Sequence, residues 1–282
     1  MSRTRPPDSP RRRGPGSLVV VGTGLKAALH LTPEAREEIA QAEKVFYLIS
    51  DALSEMWIKR LKPTARSLAS CYVPEKPRMA AYQRMVETIL APAREGRRVC
   101  AAFYGHPGVF VYPSHESIRR ARLEGIDARM LPGISAEDCL FSELGVDPAR
   151  SGCQSYEATD FLIYRRRFDP SSALVIWQAG VVGNLNYGQR PARSGLHTLA
   201  RRLAGVYGRK HEVVLYEASL LPVLPSTIRS TTIENLPSAG VTGNMTLFVP
   251  PRPHAPDPRG LRQLHLRQSD LTVVPPCWKP DS

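Results

Sequence analysis

The chain has 282 residues, of which 42% are hydrophobic and 23% are charged, and its formal net charge is +12. At roughly 150 residues per domain, this length predicts about two domains, each large enough for its own core. The apolar residues come in strand-like runs, which excludes a mostly disordered chain, and no apolar run approaches the roughly 20 residues that span a bilayer, which excludes an integral membrane protein.

The excess of positive charge lies mainly at the two ends of the chain. Residues 1–16 carry five arginines against one aspartate, and residues 251–282 carry five basic and three acidic residues. We expect 1–16 to be a disordered basic arm and 252–282 to be a Pro-rich tail, both solvated. Because no basic stripe interleaved with aromatic residues is visible, we expect no nucleic-acid partner.

The cysteines give no sign of a disulfide framework or a metal site. They are five in number, form no CxxC pair, and show no metal-type spacing with the seven histidines. No apolar stretch precedes Ser17, so no secretory signal is expected. These features predict reduced thiols, a cytoplasmic location and no metal.

From Ser17 onwards, buried strands alternate with helices. Strands are predicted at 17–24, 44–50, 98–105, 127–133, 173–178, 212–218 and 245–250. Helices are predicted from Thr32, over 78–94, over 114–123, from Ser135 and around 195–207. This alternation predicts an α/β protein with mainly parallel sheets. A seam near Pro132 divides it into domains at 17–131 and 132–251.

The first strand ends in a glycine loop that has two interpretations. Gly22, Gly24 and Ala27 satisfy G-x-G-x-x-A, the pattern that brings backbone amides close to a dinucleotide pyrophosphate. The next helix signal comes only at Thr32, which makes the loop long for that role. A structural turn is the other interpretation.

Two later loops give a more specific signal. YGHPGVF (104–110) follows the strand at 98–105, and LPGISAED (131–138) follows the next strand. Glycine and proline let the backbone bend closely around a ligand, and the carboxyl ends of parallel strands are where open α/β sheets bind ligands. Ser135 is expected to cap a helix, with Asp138 three residues later.

These blocks resemble the tetrapyrrole-methylase superfamily. The resemblance runs from about Ser17 to Pro251 and includes GTGL near the start, the two loops above, Trp177-Gln178 and YEA (216–218). It implies two α/β domains, with S-adenosylmethionine in the cleft between them and S-adenosylhomocysteine as the product. Residues 145–162 resemble the borosin branch, whose enzymes methylate backbone amide nitrogens of a peptide.

The same resemblance implies the residues that contact the cofactor. They are His106, Pro107, Val109, Phe110, Ser135, Ala136, Gln178, Tyr216, Ala218 and Thr246. For His106, the residues alone favour a turn residue that hydrogen-bonds locally. Trp177 is expected to be a core residue.

A backbone amide holds its proton far above neutrality, so methylation needs a base and a group that stabilises charge on the carbonyl oxygen. Arg78 and Tyr82 are spaced i, i+4 on a predicted helix, and a guanidinium favours the phenolate form of a neighbouring tyrosine. We predict that this pair is the base. Tyr72 and Tyr104 are predicted to donate hydrogen bonds to the carbonyl oxygen. The borosin resemblance implicates these same four positions.

The resemblance also implies the partners. Fused borosin enzymes carry the target peptide on the same chain, and only about thirty residues follow the last predicted strand here, so a separate precursor peptide is expected. An in-cis target at 271–276 (LTVVPP) is the other option. We expect a homodimer, or a heterotetramer with two precursors, in which an exposed Trp57 and Tyr72 serve the interface.

Two further functions remain open at this stage. A tetrapyrrole C-methyltransferase would share every cofactor block and would need a wide cleft for a polycarboxylate macrocycle. A binding subunit without turnover is the option outside the enzymes, although the presence of Arg78, Tyr82 and Tyr104 argues against it.

Overall fold

The structure is a computed structural model and describes residues 16–26, 28–74, 76–185 and 193–271. The chain divides into two compact units. The first ends at Ala136 and also takes in Leu220–Val223, and the second is formed by the remaining residues from Glu137 onwards. The predicted boundary between residues 131 and 132 falls in the loop just before this division.

The first unit is built on a five-stranded parallel sheet. Its strands are β1 (Ser17–Gly22), β2 (Lys44–Leu48), β3 (Arg66–Ser67), β4 (Arg98–Phe103) and β5 (Asp127–Met130), in the order β3-β2-β4-β1-β5. Its helices are α1 (Pro33–Gln41), α2 (Ala52–Leu61), α3 (Arg78–Arg94) and α4 (Tyr112–Leu123). The predicted strands and helices of this half are confirmed, while α2 and β3 were not predicted.

Alternate residues of the strands in the first unit bury two apolar layers. Leu18 and Val20 of β1 pack with residues of α3 and α4, whereas Val19 and Val21 pack on the other face with residues of α1 and α2. Successive side chains of a strand point to opposite faces, so a continuous apolar run is required where helices cover both. At the start of α1, Thr32 Oγ1 accepts a hydrogen bond from Ala35 N at 3.1 Å, as its predicted capping role requires.

The second unit contains a mixed sheet. Its strands are β6 (Cys153–Glu157), β7 (Ala173–Trp177), β8 (Glu212–Glu217), β9 (Thr227–Thr232) and β10 (Thr246–Val249), in the order β6-β7-β10-β8-β9. The helices along this part of the chain are α5 (Ala136–Leu144), α6 (Pro148–Ser151), α7 (Ala158–Ile163), α8 (Arg193–Tyr207) and α9 (Pro258–Gln263).

The expectation of mainly parallel sheets is wrong for this second unit. Only β6 and β7 pair in parallel, and the other three pairings are antiparallel. The reason lies in the place of β10, which lies between β7 and β8 and runs antiparallel to both, although α8 joins β7 to β8 in the same direction. The connection from β8 to its neighbour β9 contains no helix, and neighbouring strands joined in this way pair antiparallel.

The structure corrects the expected exposure of two residues and adds a helix to the Pro-rich tail. Trp57 and Tyr72 are half-buried rather than exposed, and the Trp57 ring lies 5.7 Å from the Arg60 guanidinium. The Pro-rich tail includes helix α9, which Asp257 caps by accepting a hydrogen bond from Arg259 N at 3.0 Å. The basic arm up to residue 15, Ala27, Cys277 and residues 272–276 lie outside the described residues.

Two general features complete the fold. Among the described residues, no helix is both long enough and apolar enough to cross a membrane. The four cysteines in the described ranges are free thiols, and burial raises the pKa of the Cys100 thiol above its ordinary value.

Two buried tyrosines differ in what their hydroxyls contact and give a matched test of stability. Tyr47 donates to Glu55 Oε1 at 2.6 Å, whereas the Tyr207 hydroxyl has no hydrogen-bond partner among the described residues. We expect Tyr47→Phe to lower the free energy of unfolding by about 1 kcal/mol, since it removes a hydrogen bond. Tyr207→Phe is expected to leave it unchanged or raise it. Calorimetric unfolding of both variants measures the difference, and an equal loss in both would contradict the assignment.

Candidate functional site

Three glycine-containing loops meet at the carboxyl ends of adjacent strands in the first unit. A Cβ built on Gly22, at the end of β1, would lie 2.5 Å from Gly105 O and 3.0 Å from Gly133 Cα. Gly24 and Gly105 also exchange backbone hydrogen bonds of 3.2 and 2.8 Å. No other residue type allows this backbone contact. The loops after β1, β4 and β5 are therefore held together at the edge where parallel sheets bind ligands.

The loop at 104–110 is also anchored to helix α4. Ser114, which is fully buried, places its Oγ within hydrogen-bond distance of Pro107 O and Val111 O, and His115 Nε2 lies 2.8 Å from Gly108 O. Two successive residues of the first turn of α4 thus hold the loop carbonyls. The loop is a fixed part of the first unit.

His106 does hydrogen-bond locally, as the residues alone suggested. Its Nδ1 accepts a hydrogen bond from Gly108 N at 2.9 Å. An accepting Nδ1 assigns the proton of the neutral ring to Nε2. The predicted cofactor contact therefore has a donor, His106 Nε2–H, whose orientation is fixed by the loop itself.

Two of the predicted cofactor contacts have left-handed backbone conformations. Among the described residues, five non-glycine residues have a positive φ, and they include Phe110 (61°) and Gln178 (55°). A bulky residue in this region is strained, and such strain concentrates at ligand sites. Phe110 is 55% exposed, which leaves its ring open to a ligand.

The structure favours the structural interpretation of the first glycine loop. His30 Nδ1 accepts hydrogen bonds from the backbone N–H groups of Leu25 (3.3 Å) and Lys26 (3.4 Å). Helix α1 begins only at Pro33. The amides that a dinucleotide pyrophosphate would need are therefore directed to a side chain of the loop itself.

The four predicted catalytic residues come together in the first unit. The rings of Tyr72 and Tyr82 meet edge to face with centroids 6.3 Å apart, and both pack against the apolar layer that contains residues of α3. Tyr104, at the end of β4, is close enough to Tyr82 and Arg78 for both to shift its pKa. Residues from one helix, the segment before it and a strand end therefore form one cluster.

Tyr104 has the protonation state that a hydrogen-bond donor needs. Desolvation of its hydroxyl raises the pKa of Tyr104, Tyr82 acts in the same direction, and the Arg78 guanidinium opposes them. The phenol therefore keeps its proton throughout the neutral range, and 45% of the residue is exposed. This supports the predicted donor role.

Ser135 lies where the sequence places it, directly before the first residue of α5, Ala136, and it is buried. The next residue, Glu137, was not singled out from the sequence. Burial raises the pKa of the Glu137 carboxyl, a hydrogen bond with Ser155 opposes the rise, and Asp138 adds to it. Trp177 Nε1 donates to Ser155 Oγ, and Trp177 is half-buried, so the expectation that it is a core residue is wrong.

The remaining predicted cofactor contacts belong to the second unit. Gln178 follows β7, Ala218 follows β8, and Thr246 of β10 pairs with Tyr216 of β8. Tyr216 is 1% exposed and donates to Glu143 Oε2 at 2.8 Å. Burial, and then Glu143, raise the pKa of Tyr216 well above its ordinary value. Its hydroxyl therefore serves the fold, and a cofactor contact by the hydroxyl stays a prediction.

Sequence reasoning missed Tyr112, the first residue of α4. Its ring stacks on that of Tyr82, with centroids 6.0 Å apart and an interplanar angle of 27°. Tyr112 lies two residues beyond the YGHPGVF block, so no motif marked it. Only the packing of α3 against α4 reveals the contact.

The two α/β units have the fold of the class III methyltransferases. Residues 17–234 match the family described as Tetrapyrrole (Corrin/Porphyrin) Methylases, and the chain belongs to this family. The uroporphyrin-III-C-methyltransferase from Thermus thermophilus has the same fold, with a TM-score of 0.59, 21% identity, and coverage of 90% of this chain and 98% of that one.

Two curated relatives have a higher sequence identity to the chain. A methyltransferase and ribosomally synthesized type III borosin cyclic peptide precursor from Anomoporia bombycina is 40% identical over 86% of this chain and 29% of that protein. A methyltransferase and ribosomally synthesized cyclic peptide gymnopeptides precursor from Gymnopus fusipes is 41% identical over 84% of this chain and 58% of that protein. The chain thus spans less than two thirds of either relative.

The glycine contacts predict a site-directed test. Gly22→Ala would force a Cβ against backbone atoms and is expected to lower the free energy of unfolding by about 1–3 kcal/mol. Gly205→Ala in α8 is the matched control, because a Cβ there meets no described atom within 4 Å. The control is expected to be neutral or to stabilise by up to about 1 kcal/mol. Urea unfolding of both variants decides, and a fully stable Gly22→Ala would refute the close backbone packing.

Proposed function

We propose that this protein uses S-adenosylmethionine to methylate backbone amide nitrogens of a ribosomally made peptide. The observation that carries the proposal is the cluster of Tyr72, Arg78, Tyr82 and Tyr104 beside the glycine loops of the first unit. Two relatives of about 40% identity whose names combine a methyltransferase with a cyclic peptide precursor support the peptide substrate.

The residues of the first unit fit S-adenosylmethionine. Gly22, Gly105 and Gly133 let the backbones of three loops pack together at the strand ends, where open α/β sheets bind ligands. His106 Nε2–H offers a donor with a fixed orientation, and the exposed ring of Phe110 offers an apolar surface for an adenine. When bound, S-adenosylmethionine supplies a methyl group on a positively charged sulfur.

The side chains of the cluster then have complementary tasks. In this proposal Tyr82 reacts as its phenolate, which the Arg78 guanidinium stabilises, and it becomes a neutral phenol when its Oη takes the amide proton as the nitrogen attacks the methyl carbon. Tyr104 Oη donates to the carbonyl oxygen, where charge accumulates as the amide loses its proton. Its raised pKa keeps that proton in place. Tyr72 packs edge to face with Tyr82 and is assigned a second donor role.

The base assignment is tested by Tyr82→Phe. We expect this variant to lose turnover, because no other group in the proposal takes the proton, while cofactor binding stays measurable by calorimetry. Tyr164→Phe is the control: Tyr164 is 65% exposed and also lies near a guanidinium, 5.0 Å from that of Arg166. Full activity of Tyr82→Phe would rule out its role as base.

The alternative of a tetrapyrrole C-methyltransferase is supported by the family match and by the fold, which the uroporphyrin-III-C-methyltransferase shares at 21% identity. The identity of about 40% to proteins named as peptide precursors favours the peptide. Incubation with uroporphyrinogen separates the two functions, and methylation of the macrocycle would replace our proposal.

We also propose that the peptide belongs to a separate precursor chain. Residues 252–271 carry four arginines and two aspartates, and the prolines that follow at 275 and 276 have no N–H to methylate. A homodimer, which becomes a heterotetramer with two precursors, and a cytoplasmic location are parts of the same proposal. Light scattering of the chain with and without precursor tests the assembly.

Intact mass after co-expression with a candidate precursor tests the function. Increments of about 14 Da on the precursor, located to backbone nitrogens by tandem mass spectrometry, are the expected result, because each methyl replaces one amide hydrogen. Increments on this chain would contradict the separate-precursor proposal but keep the N-methylation. Increments on carbon or oxygen atoms, or on neither chain in the presence of cofactor, would contradict the proposed reaction.

A further inference from the structure

Tyr82 is held by a second aromatic ring that no motif marked. Tyr112 stacks on it at a centroid distance of 6.0 Å, while Tyr72 meets it edge to face at 6.3 Å. A tyrosine ring that packs against two others loses much of its freedom to rotate, so the position of its hydroxyl becomes fixed.

Tyr112 is itself fixed from two sides. Its hydroxyl accepts a hydrogen bond from Gln83 Nε2 at 3.1 Å, and Gln83 is the residue after Tyr82 on α3. Pro113 follows Tyr112 and restricts its backbone. Tyr112 thus contacts α3 through both its ring and its hydroxyl, although it belongs to α4.

The first turn of α4 is also the anchor of the loop at 104–110. The Ser114 and His115 side chains, directly after Pro113, contact the carbonyl oxygens of Pro107 and Gly108. A displacement of this loop would therefore move Tyr112, whose ring packs on one face of the Tyr82 ring. Tyr112 therefore links the first turn of α4, which anchors the predicted cofactor loop, to the predicted base.

We propose that Tyr112 is a positioning residue that fixes Tyr82 relative to the loop at 104–110. This inference rests on the proposed function. It does not give Tyr112 a share in proton transfer, because the ring acts through Tyr82. The hydroxyl oxygen of Tyr112 accepts a hydrogen bond from Gln83 Nε2. The expected consequence of its loss is a misplaced base with an intact cofactor site.

Three variants separate the contributions of the ring and the hydroxyl. Tyr112→Leu removes both contacts and is expected to lower kcat by roughly ten- to a hundredfold, because small misplacements of a catalytic group are costly. The KM for peptide and the Kd for S-adenosylmethionine should change by less than about twofold. Tyr112→Phe keeps the ring and Gln83→Met removes only the donor, so both should lose less than about fivefold.

A spectroscopic measurement gives a second readout that needs no peptide. In the chain labelled with 3-fluorotyrosine, the ¹⁹F signal of Tyr82 is identified by its loss in Tyr82→Phe. We expect this signal to shift or broaden in Tyr112→Leu and to stay unchanged in Gln83→Met, where both rings are kept.

The outcomes are separable from failure of the proposed function. If the wild-type chain methylates no peptide nitrogen, the proposed function fails, and so does the catalytic part of this inference. If the wild-type chain is active, three results overturn the inference: an unchanged kcat in Tyr112→Leu, an equal loss in Tyr112→Phe, or an unchanged ¹⁹F signal of Tyr82. A weakened cofactor Kd that accounts for the whole loss in kcat overturns it as well.

Discussion

The close backbone packing of Gly22, Gly105 and Gly133 is the constraint on which the rest of the candidate site depends. Gly22 is the last residue of β1, Gly105 and Gly133 lie two and three residues beyond β4 and β5, and a Cβ at Gly22 or Gly133 would collide with the backbone of another of these loops. Because three strand ends are tied in this way, the residues that follow each glycine start from fixed positions. This contact fixes the start of the loop that contains His106 and Phe110, and the start of the turn that leads into α5.

A second constraint is the attachment of the loop at 104–110 to helix α4. This attachment also affects the predicted catalytic cluster, because α4 begins with Tyr112 and Tyr112 stacks on Tyr82. The loop at 104–110, the first turn of α4 and the Tyr82 ring are therefore connected by direct contacts. Backbone strain at Phe110 fits this picture, since a left-handed bulky residue persists only where the surrounding contacts hold it.

Tyr104 and Tyr216 both have a raised pKa, but their hydroxyls have different surroundings. Tyr104 keeps its proton because desolvation and Tyr82 outweigh the Arg78 guanidinium, and it remains exposed enough to meet a substrate. Tyr216 keeps its proton as well, but it donates it to Glu143 inside the fold. The two tyrosines thus differ in their exposure and in the partner of the hydroxyl.

The sequence by itself determined the α/β class, most strands and helices and the glycine loops, because apolar periodicity and turn residues are local properties. The i, i+4 spacing singled out Arg78 and Tyr82, and the borosin resemblance implicated all four clustered residues. It did not determine the pairing of the second sheet, where β10 lies between β7 and β8 and three of the four strand pairs are antiparallel. It also missed Tyr112. It left open whether Gly22 and Gly24 bind a dinucleotide, which the structure disfavours because His30 Nδ1 accepts hydrogen bonds from two backbone N–H groups of this loop. These features depend on contacts between residues distant along the chain or on the direction of single backbone N–H groups, which only the tertiary structure fixes.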